Sequence, residues 1–207
     1  MDRPIVLGIA GGSASGKSTV VREVTRILGA DICASIQHDA YYHDLSHMPF
    51  EERIKVNVDH PDSLETELLV SHLSELLEGR AIDMPDYDYV SQTRSAPGFR
   101  IEPAPVVIVE GLLVFHDERL RTLMDLKAFV DASENERLER RIERDTIERG
   151  RDRSQVQSQH ENRVEPMHAR FVHPTRAYAD VLIPGGGHNL RAIESLAARL
   201  HALLAEP

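Results

Sequence analysis

The sequence predicts an α/β fold in which helices flank a mostly parallel sheet in three layers. Short runs of β-branched and apolar residues alternate with segments of helical periodicity along most of the chain. Such alternation is typical of crossover units, because parallel strands need a connecting segment that returns to the same edge of the sheet. One stretch rich in Pro and Tyr, residues 81–101, interrupts the alternation and indicates a small inserted β-hairpin lobe. At 207 residues the chain is long enough for a single domain, 1–207, that includes this lobe.

The predicted elements follow one another in a regular order. The strands are expected in PIVLGIA, ADICASIQ, PAPVVIVEG, LKAFVDA and YADVLIPGG, which are short and mostly apolar. The helices are expected in STVVREVTRIL, SLETELLVSHLSELLEG, SENERLERRIERDTIERG and HNLRAIESLAARLHALLAE, where apolar residues recur at helical spacing. The third of these helices begins a highly charged region, residues 134–172, which we interpret as an arginine-bearing helical lid.

The charge balance favours a small-molecule partner. Lysine and arginine number 24 against 34 aspartates and glutamates, so the net charge of −10 disfavours nonspecific binding to nucleic acid or to an anionic membrane. The apolar runs are shorter than the roughly 20 residues of a membrane helix, and the N-terminus lacks the basic and cleavage features of a signal peptide. We therefore expect a cytoplasmic protein, in which the single cysteine, Cys33, is a buried thiol.

The turn between the first strand and the first helix carries the clearest functional signal. Residues 11–18 read GGSASGKS, which fits the pattern G-x-x-x-x-G-K-[ST] in the strand-to-helix context that this pattern requires. Glycines let the backbone amides point inward at a helix N-terminus, where the helix dipole also favours phosphate. Lys17 can then reach the β- and γ-phosphates, and the Ser18 hydroxyl can ligate Mg²⁺. The predicted ATP-binding residues of this P-loop are Gly11, Gly12, Ser13, Ala14, Ser15, Gly16, Lys17, Ser18 and Thr19.

The loop pattern alone leaves open a kinase, a GTPase, a motor ATPase or an ordinary glycine-rich turn. The GTPase patterns D-x-x-G and N-K-x-D occur nowhere in the chain, which disfavours a GTPase. Glu110 ends the strand VVIVEG, and Asp39 follows the strand ADICASIQ. Because ligands of open α/β sheets gather at the carboxyl ends of strands, both acids are expected beside the loop. Glu110 is then a candidate Mg²⁺ ligand and Asp39 a candidate general base, with a solvated strand-end acid and a turn former as the alternatives.

Seven segments resemble the uridine/cytidine kinase family in order and spacing over nearly the whole chain. They are GIAGGSASGKST, HDAYY, NVDHPDS, MPDYDYVSQTR, VIVEGLLVF, FVDASENERLERRIERDTIERGRD and YADVLIPGGGHN. The resemblance implies a P-loop NTPase-type fold and transfer of the γ-phosphate of ATP to the 5′-hydroxyl of uridine or cytidine, which gives UMP or CMP. It also separates the chain from phosphoribulokinases and pantothenate kinases.

The resemblance implies roles for residues on the nucleoside side. Asp39 takes the place of the family's base and Mg²⁺-side carboxylate, and Tyr42 lines the substrate site. Asp59 matches the acid that holds the ribose hydroxyls, a role suited to a carboxylate because it accepts two hydrogen bonds from a cis-diol. Tyr87 matches a phenol that bonds the base edge, and Tyr89 matches an aromatic wall. Without the family, tyrosines that alternate along a strand indicate a half-buried face.

The charged helix of the predicted lid has two interpretations. A solvated helix with Glu and Arg pairs four residues apart describes Arg137 and Glu143. Other arginines cluster near the end of the helix and in the loop after it, a shape suited to a lid over phosphates. The resemblance implies that Arg144 and Arg149 contact the transferred phosphate. It also implies that three lid residues face the substrate: Arg141 the ribose, Arg151 the nucleoside, and Gln159 the substrate side of the lid.

Four positions depart from the family pattern. Gln92 stands where His is common, and its amide can donate or accept, so it suits both O4 of uridine and N4 of cytidine. Val58 replaces a common aromatic residue and weakens one side of the stacking on the base. Gly185 replaces a usual arginine and Glu165 a usual lysine. These departures concern the adenine side and the lid rather than the reaction.

The eleven histidines do not predict a dedicated zinc site. No pair combines the four-residue spacing of ligands on an α-helix with a third ligand in reach. His168 and His173, in HARFVH, are five residues apart.

The remaining expectations come from the resemblance alone. ATP with Mg²⁺ is the expected phosphoryl donor, with GTP as an alternative donor, and the family is commonly homotetrameric and inhibited by CTP and UTP. Two other functions stay open: a related kinase acting on a sugar phosphate or pantothenate, and a module that senses ATP without transferring phosphate. Asp59, Tyr87 and Gln92 disfavour the first. The second predicts that Asp39→Asn leaves function intact.

Overall fold

The computed structural model describes residues 3–205, and its strands follow the predicted order. Within those residues the strands are β1 (Ile5–Gly11), β2 (Cys33–Gln37), β3 (Ile82–Asp88), β4 (Thr93–Ile101), β5 (Val106–Gly111), β6 (Leu126–Asp131) and β7 (Val181–Pro184). A five-stranded sheet has the order β2-β5-β1-β6-β7, and all its neighbouring pairs are parallel. The strands β3 and β4 form a separate antiparallel hairpin, which confirms the predicted fold class.

The helices lie between these strands along the chain, except for the last helix, which follows β7. Their bounds are α1 (Lys17–Leu28), α2 (Phe50–Arg53), α3 (Thr66–Leu77), α4 (Glu118–Leu123), α5 (Glu134–Arg149), α6 (Arg153–Gln159), α7 (Glu165–Met167) and α8 (Leu190–Ala205). Two π-helical turns, His160–Val164 and His168–Val172, lie on either side of α7. We call the stretch from α6 to the second π-helical turn the return segment. Among the described residues, no helix combines the length and the apolar character needed to cross a membrane.

Two apolar cores lie on opposite faces of the sheet, because successive side chains of a strand alternate between its faces. On β5, Val107 and Val109 belong to one core, and Val106 and Ile108 belong to the other. Helices α3 and α4 and the hairpin cover the first face, whereas α1 and α8 cover the second. This gives the predicted three layers. Cys33 at the start of β2 is half-buried, so it is less enclosed than the sequence predicts.

The sheet order positions the site. Strand β5 lies between β1, which leads into the P-loop, and β2, which leads to Asp39. Glu110 near the end of β5 pairs in register with Ile9 of β1 and with Gln37 of β2. The loop, Glu110 and Asp39 therefore meet at the carboxyl edge of the sheet, where open α/β sheets bind their ligands.

Candidate active site

The P-loop is a tight turn whose lysine folds back over it. Gly16 has a φ of 100°, a left-handed conformation, and a Cβ there would lie 2.6 Å from the backbone N of Gly187. A side chain at this position is disfavoured by the left-handed backbone and would also clash with Gly187. The Nζ of Lys17 donates to the carbonyl oxygens of Gly11 and Gly12, at 3.1 Å each. Burial lowers the pKa of Lys17.

A cavity of about 330 Å³ opens over the loop. Outside the loop itself, its lining includes Asp39, Glu110, Arg144 and Arg149. The P-loop residues that line it are Ser13, Ala14, Gly16, Lys17, Ser18 and Thr19. Of the other predicted ATP-binding residues, Gly11 and Gly12 hold the lysine, and the Ser15 side chain is buried behind the loop.

Three oxygen-bearing side chains converge beside Lys17. The Ser18 hydroxyl donates to Glu110 Oε1 at 2.9 Å. The Oδ1 atom of Asp39 is buried and finds no hydrogen-bond partner among residues 3–205. Burial raises the pKa of both carboxyls, while Lys17 acts in the opposite direction on each. A hydroxyl and two carboxylates form the hard oxygen set that Mg²⁺ prefers, so the residues present fit that ion.

A second, smaller cavity of about 90 Å³ adjoins the first. Asp39, Tyr89, Arg144 and Arg149 line both cavities, so they form the junction between them. The second cavity is lined by every residue that the sequence assigns to the nucleoside: Tyr42, Asp59, Tyr87, Tyr89, Gln92, Arg141, Arg151 and Gln159. The structure therefore places the predicted base between a phosphate-binding loop and the complete predicted substrate set.

The hairpin side of the second cavity combines aromatic rings with polar atoms that lack partners. The ring centroid of Tyr87 lies 5.1 Å from that of Tyr42 and 5.5 Å from that of Tyr89. The Tyr87 hydroxyl and Gln92 Oε1 are buried and have no hydrogen-bond partner in the described part of the chain. Buried polar atoms are normally paired, so this end of the cavity suits a flat ligand with polar edges.

The lid arginines share one acid that the sequence interpretation missed. Asp145 is completely buried, and its carboxylate oxygens lie 2.7 Å from Arg144, 3.3 Å from Arg149, 3.1 Å from Arg151 and 3.6 Å from Arg141. Burial raises the pKa of Asp145, but the arginines, Arg144 and Arg149 first, outweigh it and hold that pKa below its ordinary value. One carboxylate thus draws together four guanidiniums that would otherwise repel one another.

The interpretation of Arg137 as a solvated residue is wrong. Its side chain is only 3% exposed and donates to Glu165 Oε2 at 2.7 Å. A Cβ on Gly12 would lie 2.8 Å from Arg137 Cδ, so the guanidinium stem packs directly behind the P-loop. The return segment covers the first turns of α5, and helical periodicity in the sequence does not reveal such a covering. One turn further on, Arg140 Nη1 donates to the carbonyl of Ser15 at 3.3 Å.

Comparisons with known proteins decide the family. A family model described as Phosphoribulokinase / Uridine kinase family matches residues 6–192. The chain belongs to this family. A uridine kinase of Chloroflexus aurantiacus is 50% identical over 201 residues, which cover 97% of this chain and 96% of that protein. A uridine kinase of Streptococcus gordonii is 47% identical over 205 residues, which cover 99% of this chain and 98% of that protein.

Solved structures of this kinase type share the fold. The phosphoribulokinase from Rhodobacter spheroides has a TM-score of 0.62 at 18% identity, over 88% of this chain and 70% of that chain. A D-glycerate 3-kinase from Cryptococcus neoformans has a TM-score of 0.60 at 16% identity, over 84% and 81%. This family member therefore shares its overall fold with these two kinases.

The positions that depart from the family pattern fall in three different places. Val58 lines the second cavity, where Ile54 and Val56 add apolar walls that no sequence motif indicated. Gly185 has a φ of 77°, and within residues 3–205 no atom lies within 4 Å of where its Cβ would be. Glu165 is the partner of Arg137. The departure at Val58 therefore concerns the predicted nucleoside cavity, and the departure at Glu165 concerns the packing behind the P-loop.

Proposed function

We propose that this family member transfers the γ-phosphate of ATP to the 5′-hydroxyl of uridine and cytidine, and so salvages them as UMP and CMP. The observation that carries the proposal is the position of Asp39. It lies at the junction of a cavity over the P-loop and a cavity lined by all eight predicted nucleoside residues. The relatives named uridine kinase, which are up to 50% identical over nearly the whole chain, support the same acceptor.

The donor side would act by position and charge. The loop amides and Lys17 would hold the β- and γ-phosphates, because phosphoryl transfer depends mostly on positioning and electrostatic stabilisation. Ser18, Glu110 and Asp39 would hold Mg²⁺, which neutralises charge between the β- and γ-phosphate oxygens when bound. Asp39 would accept the proton of the attacking hydroxyl. Arg144 and Arg149, at the junction of the cavities, would stabilise the charge on the transferred group.

The acceptor side would recognise a pyrimidine ribonucleoside. The carboxylate of Asp59 would accept hydrogen bonds from the two ribose hydroxyls, with Arg141 beside it. The Tyr87 hydroxyl and the Gln92 amide would bond the edge of the base, and Tyr89 would lie against its face. Because the Gln92 amide offers both a donor and an acceptor, it would serve O4 of uridine and N4 of cytidine alike. Tyr42, Arg151 and Gln159 complete the proposed pocket.

The test is ADP release by the purified protein with Mg²⁺ and ATP against a panel of acceptors. The panel is uridine, cytidine, deoxycytidine, adenosine, pantothenate and ribulose 5-phosphate. Turnover is expected with the two pyrimidine ribonucleosides only, and their ratio reports on Gln92. Turnover of a different acceptor would retain the P-loop assignment and overturn the nucleoside pocket. ATP binding without any turnover would support the sensing module instead.

Replacing Asp59 with alanine is expected to remove the preference for ribose. Each hydrogen bond to a charged group contributes about 1.5–3 kcal/mol, so kcat/KM for uridine should fall at least about tenfold. Deoxyuridine lacks one of these hydroxyls and should be affected less. Steady-state kinetics with both nucleosides measures the ratio. Asp62→Ala, on the exposed turn nearby, is the matched control and should keep the wild-type ratio. Equal losses for both nucleosides would contradict the assigned contact.

The pH dependence of kcat/KM should reflect the buried groups at the junction. Burial raises the pKa of Asp39, and the reaction needs its ionised form. Activity should therefore fall with decreasing pH at a higher pH than an ordinary aspartate would give. Burial lowers the pKa of Lys17, so the fall on the basic side should begin below the ordinary lysine range. Rates at fixed ionic strength, with circular dichroism at each pH, measure both limbs. An acid limb at an ordinary aspartate pKa would contradict the assignment of Asp39.

Several finer features belong to the same proposal and rest on the family resemblance. We propose a cytoplasmic homotetramer that uses Mg²⁺, accepts ATP and also GTP as donors, and is inhibited by CTP and UTP. Light scattering and inhibition assays with each triphosphate test these features separately from the acceptor panel.

A further inference from the structure

A cluster of possible metal ligands lies behind the P-loop, outside both cavities. Glu134 at the start of α5 and His160 and Glu165 of the return segment each offer one ligand atom, and these atoms lie within 4.8 Å of one another. His160 Nε2 is 3.6 Å from Glu134 Oε1 and 3.9 Å from Glu165 Oε2. None of the three residues lines either cavity, so the proposed kinase reaction does not account for their convergence.

The histidine of this cluster is buried without a hydrogen bond. His160 is 1% exposed, and neither ring nitrogen has a hydrogen-bond partner within the described residues. Burial, followed by the charges of Arg137 and Arg141, lowers the pKa of His160. Buried polar groups are normally paired, and a neutral imidazole aimed at two carboxylates is a ready metal ligand.

The backbone explains why sequence spacing did not reveal the cluster. His160 and Glu165 are five residues apart, a separation that places side chains on different faces of an α-helix. The turn His160–Val164 is π-helical, with i→i+5 hydrogen bonds, and so brings the fifth residue back to the same face. The second π-helical turn does the same for His168 and His173, whose ring centroids are 5.9 Å apart. Five-residue spacing therefore does not separate these side chains here.

We propose that Glu134, His160 and Glu165 form a zinc site that joins the start of α5 to the return segment. Zinc binds imidazole nitrogen and carboxylate oxygen at about 2.0–2.2 Å in a tetrahedral arrangement, which sets neighbouring ligand atoms about 3.4 Å apart. The separations of 3.6 and 3.9 Å from His160 must contract to reach this value, and the Glu134 and Glu165 oxygens, which lie within 4.8 Å of each other, must also come together. These three residues leave the fourth position to water.

Arg137 connects the proposed zinc site to the P-loop. Arg137 donates to Glu165 Oε2 and packs against Gly12, so whatever immobilises Glu165 also immobilises the support behind the P-loop. A carboxylate can bind a metal and accept a hydrogen bond from an arginine at the same time, because metal-binding carboxylates are commonly hydrogen-bonded by outer-shell groups. The positive charge of Arg137 repels the zinc ion. We therefore expect weaker zinc binding here than at a site made of cysteine thiolates.

Zinc titration of the chelator-stripped, full-length enzyme tests the site. Excess Mg²⁺ is kept present so that the oxygen ligands beside Lys17 do not bind zinc. Wild-type protein is expected to bind one equivalent of zinc, to show the visible absorption of tetrahedral Co²⁺ when cobalt replaces zinc, and to gain thermal stability. Glu134→Gln and His160→Gln should each weaken zinc binding by at least about tenfold, because each removes a direct ligand. Neither variant touches the kinase cavities.

Exposed residues of α8 provide matched controls. Glu194→Gln and His201→Gln make the same chemical changes away from the cluster and should bind zinc as wild type does. Equal zinc affinity in wild type, Glu134→Gln and His160→Gln would overturn the site. Should His160→Gln fail to unfold cooperatively, Glu134→Gln decides alone, because Glu134 is exposed and its replacement leaves the core intact.

Discussion

Replacing Asp39 with asparagine is expected to lower kcat for uridine about 100- to 10,000-fold, the usual contribution of a positioned base. The substitution keeps the size of the side chain but removes its ability to accept a proton. It would also weaken the proposed Mg²⁺ site, to which Ser18 and Glu110 contribute the other oxygens. Because the P-loop and Lys17 stay in place, ATP binding should weaken much less than kcat. Steady-state kinetics and equilibrium binding of a fluorescent ATP analogue measure the two effects.

The free energy of unfolding of Asp39→Asn shows whether a lower kcat comes from lost catalysis or from a lost fold. Burial raises the pKa of Asp39 in the folded enzyme, so the fold loses stability as the pH rises from the ordinary aspartate pKa to the raised one, and the loss is complete above the raised pKa. The asparagine side chain of the variant would carry no charge, and its free energy of unfolding at pH 8 should therefore match or exceed that of wild type. Asp62→Asn on the exposed turn is the matched control and should leave kcat unchanged. Full activity of Asp39→Asn would overturn its role as the base.

Replacing Asp145 with asparagine is expected to have the second largest effect, on both stability and activity. The change leaves four arginines around a neutral group that is completely buried. Removing one partner of a buried ion pair typically costs about 3–5 kcal/mol, so the free energy of unfolding should fall by an amount in that range. Urea denaturation measures this loss directly.

The same substitution should lower kcat because the guanidiniums lose their common anchor. Arg144 and Arg149 would then lie in many positions instead of facing the junction of the two cavities, and misplacement of such groups is costly in phosphoryl transfer. We expect kcat to fall at saturating uridine under conditions where the variant is still folded. Glu143→Gln, an exposed acid on the same helix, is the control. Wild-type kinetics and stability of Asp145→Asn would show that the arginines are positioned by other contacts.

Local sequence patterns were sufficient to predict the sheet and the P-loop. Short apolar runs such as VVIVEG between helical segments indicate strands covered on both faces, and this is how β5 is buried. The P-loop is encoded within eight consecutive residues, so its pattern needs no information from the rest of the chain. The predicted nucleoside residues came from separate segments. Only the family resemblance joined them, and the structure then brought them to one cavity.

The features that the sequence did not predict depend on contacts between distant segments. Asp145 is one of many acids in a helix rich in Glu and Arg, and only the packing of the lid reveals that it is the buried one. Arg137 resembles its solvated neighbours until the return segment covers it. The sequence did not predict the cluster of Glu134, His160 and Glu165, because spacing rules assume the 3.6 residues per turn of an α-helix. The π-helical turns have more residues per turn.

Helix α5 contacts the surroundings of both proposed substrates. It has 16 residues and is about 24 Å long. Its first turns hold the backbone of the P-loop through Arg137 and Arg140, and its later turns line the nucleoside cavity through Arg141 and Arg144. Any coupling that this helix transmits between the two sites is reciprocal by thermodynamic necessity. If bound ATP changes the affinity for the nucleoside by some factor, the bound nucleoside changes the affinity for ATP by the same factor.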